Sequence, residues 1–421
     1  VTVVDDTLRT LKVQGIDLDL DAVPLDDPEV FKLFCDGRTN GIFQFESGGM
    51  RDMLRRAQPS RFEELAAFNA LYRPGALSVG MVEEFIQRKL GRKKVQYILP
   101  ETKPILEETF GVIAYQEQVM QSAVTIGGFT MGQADVLRKA MGKKDPVAMA
   151  KQREKFVTGA AARGFAKKKA EELWEYIEPF AGYGFNKSHS VAYAMLAYKT
   201  AYLKAHYPVA FMAAMLSCEM GSTDEIVKYI NESREMRIPI LPPDVNESEW
   251  TFSVVGEAIR FGLGAIKGVG ESAGEAVLAA RRSKGKFRSL AHLLLEIDPQ
   301  AVNQKVFDAL IKSGACDSLG GHRAALAGAL AGLSEQAARR RREIEAGQSN
   351  LFGSGSASTL PSEPASTIPV WTESERLRLE KEALGFYLSG NPLVEFESHL
   401  KRLVTHTAEQ LRGGFQGSAT V

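Results

Sequence analysis

The sequence predicts a mainly α, multidomain protein, and three observations carry that prediction. At 421 residues the chain exceeds what one hydrophobic core usually serves, so two or three units are expected. Apolar residues recur at helical spacing between glycine and proline stops, as in Ser190–His206, which ends at Tyr207-Pro208. Beyond Glu343 the composition shifts abruptly to Ser, Gly and Pro (GQSNLFGSGSASTLPSEPASTIP), the mark of a flexible linker. A hydrophobic content of 44% with 25% charged residues suits a soluble globular protein. No apolar run reaches membrane-spanning length, and VTVVDDTLRTL lacks the basic-then-apolar pattern of a signal peptide. Starting at Val1, the chain is expected to be a fragment. Cys35, Cys218 and Cys316 are odd in number and far apart, which points to a reducing cytoplasm. They share no paired spacing with the six histidines, so no zinc site is expected.

Residues 1–30 open with a helix-like segment followed by IDLDLDAVPLDD. Asp17, Asp19 and Asp21 could be a metal-binding set, but no second acidic cluster stands ready to complete a site. GIFQFESGGMRDMLRRAQP reads as a short buried strand over Gly41–Phe45, a glycine turn, then a helix carrying Arg51, Arg55 and Arg56. LYRPGAL is a Pro-Gly turn that stops the preceding helix. GVIAYQEQVMQSAVTIGGF begins with a β-branched patch, and its helix runs to Gly127-Gly128.

Formal net charge is zero, yet from Arg138 to Lys169 eleven Lys/Arg face two acids, Asp145 and Glu154. Such a segment attracts a polyanion, although a solvated helical face is the blander account. Its first helix, near Gly132 to Met141, places Gly142 for a left-handed C-cap with Pro146 soon after. Arg138, Lys139, Lys143 and Lys144 exceed what one helix dipole needs, and phosphate oxygens would use them better.

FAGYGFNKSHSVAYA (Phe180–Ala194) sets Gly182 and Gly184 before a polar cluster and a long helix. Ser188 or Ser190 is expected to cap that helix, whose free amides favour an anion near Lys187. An ordinary capped helix with a solvated Lys187 and a hydrogen-bonded His189 fits the same residues. Val191, Met195, Tyr198 and Tyr202 fall on one face and are assigned to the core.

After a helix over Val209–Met220, residues 251–261 alternate like a hairpin around Val255-Gly256-Glu257. Leu263–Arg281 has the pattern of a helix-hairpin-helix unit, with Lys267, Gly268, Val269 and Gly270 at the hairpin. Glycine there lets backbone amides approach a phosphate, a contact largely blind to base sequence. Arg281, Arg282, Lys284, Lys286 and Arg288 follow. Asn303–Leu326 looks like a degenerate second copy with Ser313, Gly314 and Ala315 as its hairpin. In the linker, Gln348, Leu351 and Phe352 form an apolar peptide with no core to enter, as expected of a docking motif. Residues 373–403 return to helix.

Taken together, YGFNKSHSVAYA, LRKAMGKK, GIFQFESGGM, LYRPGAL, AYQEQVMQ and the turn at Asn391–Leu393 resemble the alpha subunits of bacterial DNA polymerase III, the family-C replicative polymerases. The resemblance runs from Val1 to about Leu403 and implies a DNA-directed DNA polymerase, a nucleotidyltransferase of DNA replication. It implies the end of the palm over 1–29, fingers over 30–245 and a tandem helix-hairpin-helix domain for duplex DNA over 246–335. A linker with a sliding-clamp-binding peptide would span 336–372, and 373–421 would lead into a single-strand-binding OB domain. The family's triphosphate-binding cations fall on Arg138 and Lys139; Lys139 stands where many members carry Arg, which weakens a forked grip there. Lys143, Lys144, Lys187 and His189 join them as expected dNTP contacts. Lys267, Gly268, Val269, Gly270, Arg281, Arg282, Ser313, Gly314 and Ala315 are the expected DNA contacts, and Gln348, Leu351 and Phe352 the clamp anchors. The implied partners are primer-template DNA, dNTP, the sliding clamp and other holoenzyme subunits, with no membrane. The family's Mg2+-binding aspartates lie in the palm, upstream of Val1, so this chain alone is expected to be inactive, with no catalytic or metal residue of its own. The rival reading is a non-enzymatic DNA-binding and clamp-tethering module; a metal-dependent hydrolase built on Asp17–Asp21 ranks far below both.

Overall fold

The computed structural model describes residues 1–143, 146–182, 184–345, 367–393 and 403–404. It is mainly helical and forms two compact units, one of Leu11–Pro208 and one of Val1–Thr10 with the chain from Val209 onward. The expected edges at 29/30 and 245/246 fall inside these units. After α1 (Thr2–Val13) the first unit contains α2 (Pro28–Cys35), α3 (Gly48–Ala57), α4 (Phe62–Leu71), α5 (Pro74–Ser78) and α6 (Met81–Lys89). It continues with α7 (Lys103–Leu106), α8 (Gln116–Thr125), α9 (Met131–Lys143), α10 (Pro146–Ala162), α11 (Lys167–Ile177) and α12 (Lys187–His206).

The long helix α12 packs on α4 and α2. Its buried face is Ser190, Ala194, Ala197, Tyr198 and Ala201, not the expected stripe, of which only Tyr198 is fully buried. Small side chains win that face because α4 brings its own Ala66, Ala67 and Ala70 against the core, and close backbone approach needs short groups on both helices. Tyr198 donates to the Pro24 carbonyl at 2.7 Å and accepts from Asp27 N–H at 3.0 Å; burial pushes its pKa up to about 12. Lys204 is 1% exposed, and its ammonium donates to the carbonyls of Arg38 and Asn40 at 2.8 and 2.9 Å.

Residues 41–45 form tight turns instead of the expected strand. Gln44 lies at φ 64°, outside extended geometry, while Ile42 and Phe45 are still fully buried. Burial was legible there; strand geometry was not the way it is achieved. Pro74 does end the preceding helix, but it also opens α5 as its first-turn proline. Gly142 lies within α9 and caps nothing.

The second unit holds α13 (Pro208–Cys218) and α14 (Thr223–Glu235), then strands β1 (Ile240–Leu241), β2 (Ser253–Val255) and β3 (Ala258–Arg260). The expected hairpin is present as the antiparallel pair β2–β3, and β1 joins β3 in parallel, giving the order β1-β3-β2. Helices α15 (Glu271–Lys284), α16 (Leu290–Glu296), α17 (Gln304–Ser313), α18 (Arg323–Glu345) and α19 (Glu373–Leu384) follow. Helix α17 packs on both α18 and α19 through Val306, Phe307, Leu310 and Ile311.

Candidate nucleotide and duplex interfaces

In the first unit the site grows from the shared start of α8 and α12. Tyr115 and Phe185 form an isolated parallel bridge, with Gln116 N–H donating to Phe185 O at 2.9 Å. Gln116 Nε2 also donates to Gly184 O at 3.1 Å. Asn186, and not Ser188 or Ser190, caps α12, its Oδ1 accepting from His189 N–H at 2.9 Å. Asparagine wins because it lies one residue before the helix, where side-chain oxygen can reach the third amide. Ser190 is instead buried and donates to Ala66 O.

The amino end of α12 already holds an anion of the chain's own. Glu117 accepts from Asn186 Nδ2 and from the Lys187 backbone N–H, each at 2.9 Å. The Lys187 ammonium meets Glu108 at 2.5 Å and lies 5.6 Å from the centre of the Tyr115 ring. Tyr115 is fully buried, its hydroxyl has no hydrogen-bond partner among the described residues, and burial drives its pKa far up. His189 is exposed between Phe185 at 5.3 Å and Tyr193 at 4.2 Å, and Arg73 lies 4.4 Å over the Phe185 ring.

Helix α9 reaches this place through Arg138, which lines a small cleft with Gln116, Val119, Met141, Phe180 and Gly184. Arg138 donates twice to one Asp135 oxygen, at 2.9 and 2.8 Å, and Lys139 pairs with the other at 2.8 Å. Hydrogen bonds from Lys139 and then Arg138 hold the Asp135 carboxyl below the usual range. Lys143 is exposed at the end of α9, and Lys144 lies outside the described residues. Sequence reasoning missed Arg73, Glu108, Glu117, Asp135, Phe185 and Tyr193. Asp135 stood at helical spacing from both cations, as Phe185 and Tyr193 did from His189, and these were findable; Arg73, Glu108 and Glu117 meet the site only through the fold.

Among the described residues no group of three or more His, Cys, Asp or Glu is placed to hold a metal ion. Asp19 accepts from the Asp21 N–H and Asp21 pairs with Lys199, so the acidic stretch near the start serves a turn and an ion pair. These residues do not fit a Mg2+ site.

In the second unit the two hairpins differ. At the first, Gly268 (φ 85°) and Gly270 are exposed, and a Cβ at either would meet nothing within 4 Å. Neither N–H finds an acceptor among the described residues, while Val269 is buried beneath them. Lys267 is exposed and its N–H donates to Ala383 O at 2.8 Å. At the second, Ser313 and Ala315 are buried, and Ser313 donates to Leu310 O. Gly314 (φ 90°) is covered by Arg323, which forks onto Asp317 at 2.8 and 2.7 Å and reaches the Lys312 carbonyl at 3.3 Å. Sequence placed the second hairpin at the surface; the side chain that closes it lies nine residues further on.

Arg281 is tied into the fold through the carbonyls of Val245 and Ser248 and through Glu249. Arg282 is largely exposed, 3.8 Å from Glu249. Gln348, Leu351 and Phe352 lie outside the described residues, as does the chain beyond Leu393 except residues 403–404, in the 373–421 segment expected to lead into the OB domain.

Residues 1–164 match the family model of the bacterial DNA polymerase III alpha subunit finger domain, and residues 237–326 match a helix-hairpin-helix motif. The chain is 44% identical over 417 residues to DNA polymerase III subunit alpha of Thermus aquaticus, covering 98% of this chain and 33% of that protein. It belongs to the bacterial DNA polymerase III alpha-subunit family. The subunits of Pasteurella multocida (strain Pm70) and Escherichia coli (strain K12) are 45% and 44% identical, over 94% and 92% of this chain and 34% of each relative. The chain thus spans about a third of the length of the alpha subunits it matches. As part of this family it carries finger-domain and helix-hairpin-helix sequence together. No helix among its described residues is long and apolar enough to cross a membrane.

Proposed function

We propose that this chain is the nucleotide-aligning and duplex-holding part of a replicative DNA-directed DNA polymerase. The observation that carries the reading is the cleft that sets Arg138 of α9 against Gln116 and Gly184, beside the amino end of α12. A triphosphate entering there meets Arg138, Lys139, Lys143 and Lys187, takes the place of Asp135 and Glu108, and gains the α12 amides now held by Glu117. These cations neutralise charge that builds on the phosphates during transfer. His189, exposed between two aromatic rings, borders the base or sugar. Lys144 belongs to the same basic run.

Magnesium, when bound by carboxylates elsewhere in the enzyme, would supply Lewis-acid chemistry at the transferred phosphoryl group. This chain orients the nucleotide and does not extend a primer by itself. In the second unit, the first hairpin's free amides at Gly268 and Gly270, with Lys267 beside them, take a duplex phosphate, and Arg282, in the last turn of α15, takes a separate one. Val269 anchors that hairpin from beneath, and Arg281 ties the far end of α15 to the loop at Val245–Ser248. The second hairpin, Ser313-Gly314-Ala315, buttresses the unit. Gln348, Leu351 and Phe352 tether the chain to a sliding clamp, and further replicative subunits complete the assembly.

The test uses a complete alpha subunit bearing Arg138→Ala. Loss of one charge-assisted phosphate contact, worth about 1.5–3 kcal/mol, should raise KM for dNTP by about ten- to a hundredfold. Duplex affinity should stay unchanged. An unaltered KM would remove Arg138 from the nucleotide site and favour a DNA-binding module without a nucleotide role. For the tether, Leu351→Ala with Phe352→Ala should abolish clamp binding in pull-down, and retained binding would place the contact elsewhere.

A further inference from the structure

The basic run beyond α9 is not absorbed by the nucleotide site. Its members divide into two kinds. Arg138 and Lys139 pair with Asp135, Arg153 with Glu175, and Lys169 with Glu172. Lys151, Lys155, Arg163, Lys167 and Lys168 meet no carboxylate among the described residues, and all are exposed. Their spacing is regular. Lys151, Lys155 and Arg163 fall on multiples of four along α10 and its end, which places them on one slowly winding stripe. Each four-residue step advances about 6 Å along the axis.

Two contacts fix the side on which the stripe lies. The Lys155 ammonium is 4.9 Å from the centre of the Phe129 ring, and the Arg163 side chain covers Gly128. Both therefore flank the turn at Gly127–Phe129. Past Gly164 (φ 88°) the chain reverses, and α11 opens with Lys167, Lys168 and Lys169 and no acid in its first turn. Cations there oppose the helix dipole by a few tenths of a kcal/mol to about 1 kcal/mol each. An apposed anion would relieve that cost.

We propose that Lys151, Lys155, Arg163 and Lys167 form a rail for the phosphate backbone of unpaired template DNA. A single row of cations matches one backbone; a duplex would present two. The row itself is made of ammonium and guanidinium groups, with the exposed Glu154 beside it the single acid between Lys151 and Lys155, so the grip is on phosphate and independent of sequence. Its partner differs from both ligands proposed above, the triphosphate and the duplex, so its test can fail without touching either.

The experiment is titration of a complete alpha subunit carrying Lys151→Gln, Lys155→Gln, Arg163→Gln and Lys167→Gln with two fluorescent primer-templates, one with a long single-stranded template overhang and one blunt. Affinity is measured from 50 to 300 mM salt. Four lost single-strand contacts should reduce the slope of log K against log salt by about 2–3 for the overhang substrate. The blunt substrate and KM for dNTP should not change. No slope change on the overhang substrate, or an equal change on both, would overturn the proposal. Circular dichroism of the variant, expected to match the parent because all four side chains are exposed, separates loss of the rail from loss of the fold.

Discussion

The two hairpins of the second unit began with the same sequence logic and arrived at opposite surfaces. At Gly268–Gly270 the amides stand open over a buried Val269; at Ser313–Ala315 the flanking residues are buried and a guanidinium covers the central glycine. Both central glycines have a positive φ, 85° and 90°, so the backbone turn itself is shared. The difference is Arg323. It is 9% exposed and bridges the hairpin, Asp317 and, at 3.5 Å, the Glu380 carboxylate of α19, which is itself 1% exposed. Glu380 also accepts from the N–H groups of Leu388 and Ser389 at 2.7 and 2.9 Å. The turn that stays open at the first hairpin is here covered by the protein's own cation, and that cation also holds α19.

The comparison breaks first at Arg323. Arg323→Ala takes one of two cations from buried Glu380, leaving Arg376 at 3.7 Å, and strips Asp317 of its fork, a loss of at most about 3–5 kcal/mol. Urea unfolding of the second unit should show it, and a change below about 1 kcal/mol would mean the second hairpin is not held this way. Next in size is the reactivity of Cys316, fully buried beside that hairpin with its thiol pushed up by burial. In a variant with Cys35→Ser and Cys218→Ser, maleimide labelling at neutral pH should be slow and should quicken at least about tenfold when Arg323→Ala is added. Equal rates would show that Arg323 does not close the hairpin.

At the open hairpin the expected effect is on DNA instead. Gly268→Ala strains a left-handed position by about 1 kcal/mol and puts a methyl where a phosphate should come. Duplex affinity should fall about tenfold in fluorescence anisotropy, whereas the stability loss stays far below that of Arg323→Ala. Unchanged affinity would deprive the first hairpin of its role. The smallest effect is Arg282→Ala, which should lower the duplex salt slope by about 0.9 if that side chain meets one phosphate. No change in slope would leave Arg282 a solvated cation.

Much of the first unit was readable in advance for local reasons. The helix after FNKSHS and the helix carrying Arg51 follow from spacing, stops and turn residues, as does the hairpin at Gly256 in the second unit. The candidate site was half readable. Arg138, Lys139, Lys187 and His189 stood out as polar residues clustered in sequence, but their acidic partners did not. Glu108 and Glu117 lie far from Lys187 in the chain, and nothing in either stretch announces the meeting. The core stripe of α12 was misread because spacing names a face without saying which face the neighbour will take; the small residues of α4 decided it.

What the sequence alone determined is the helical class, the order of the elements and the family, since local propensity, glycine placement and contiguous motifs are written along the chain. Only the tertiary structure decided which cations are free and which are already neutralised. That outcome depends on side chains brought together from distant positions: Arg323 onto Gly314 and Glu380, Glu117 onto the start of α12, and no acid onto Lys151, Lys155, Arg163 and Lys167 among the described residues. A charge acquires its meaning from its nearest neighbours in space, and those neighbours are set by packing.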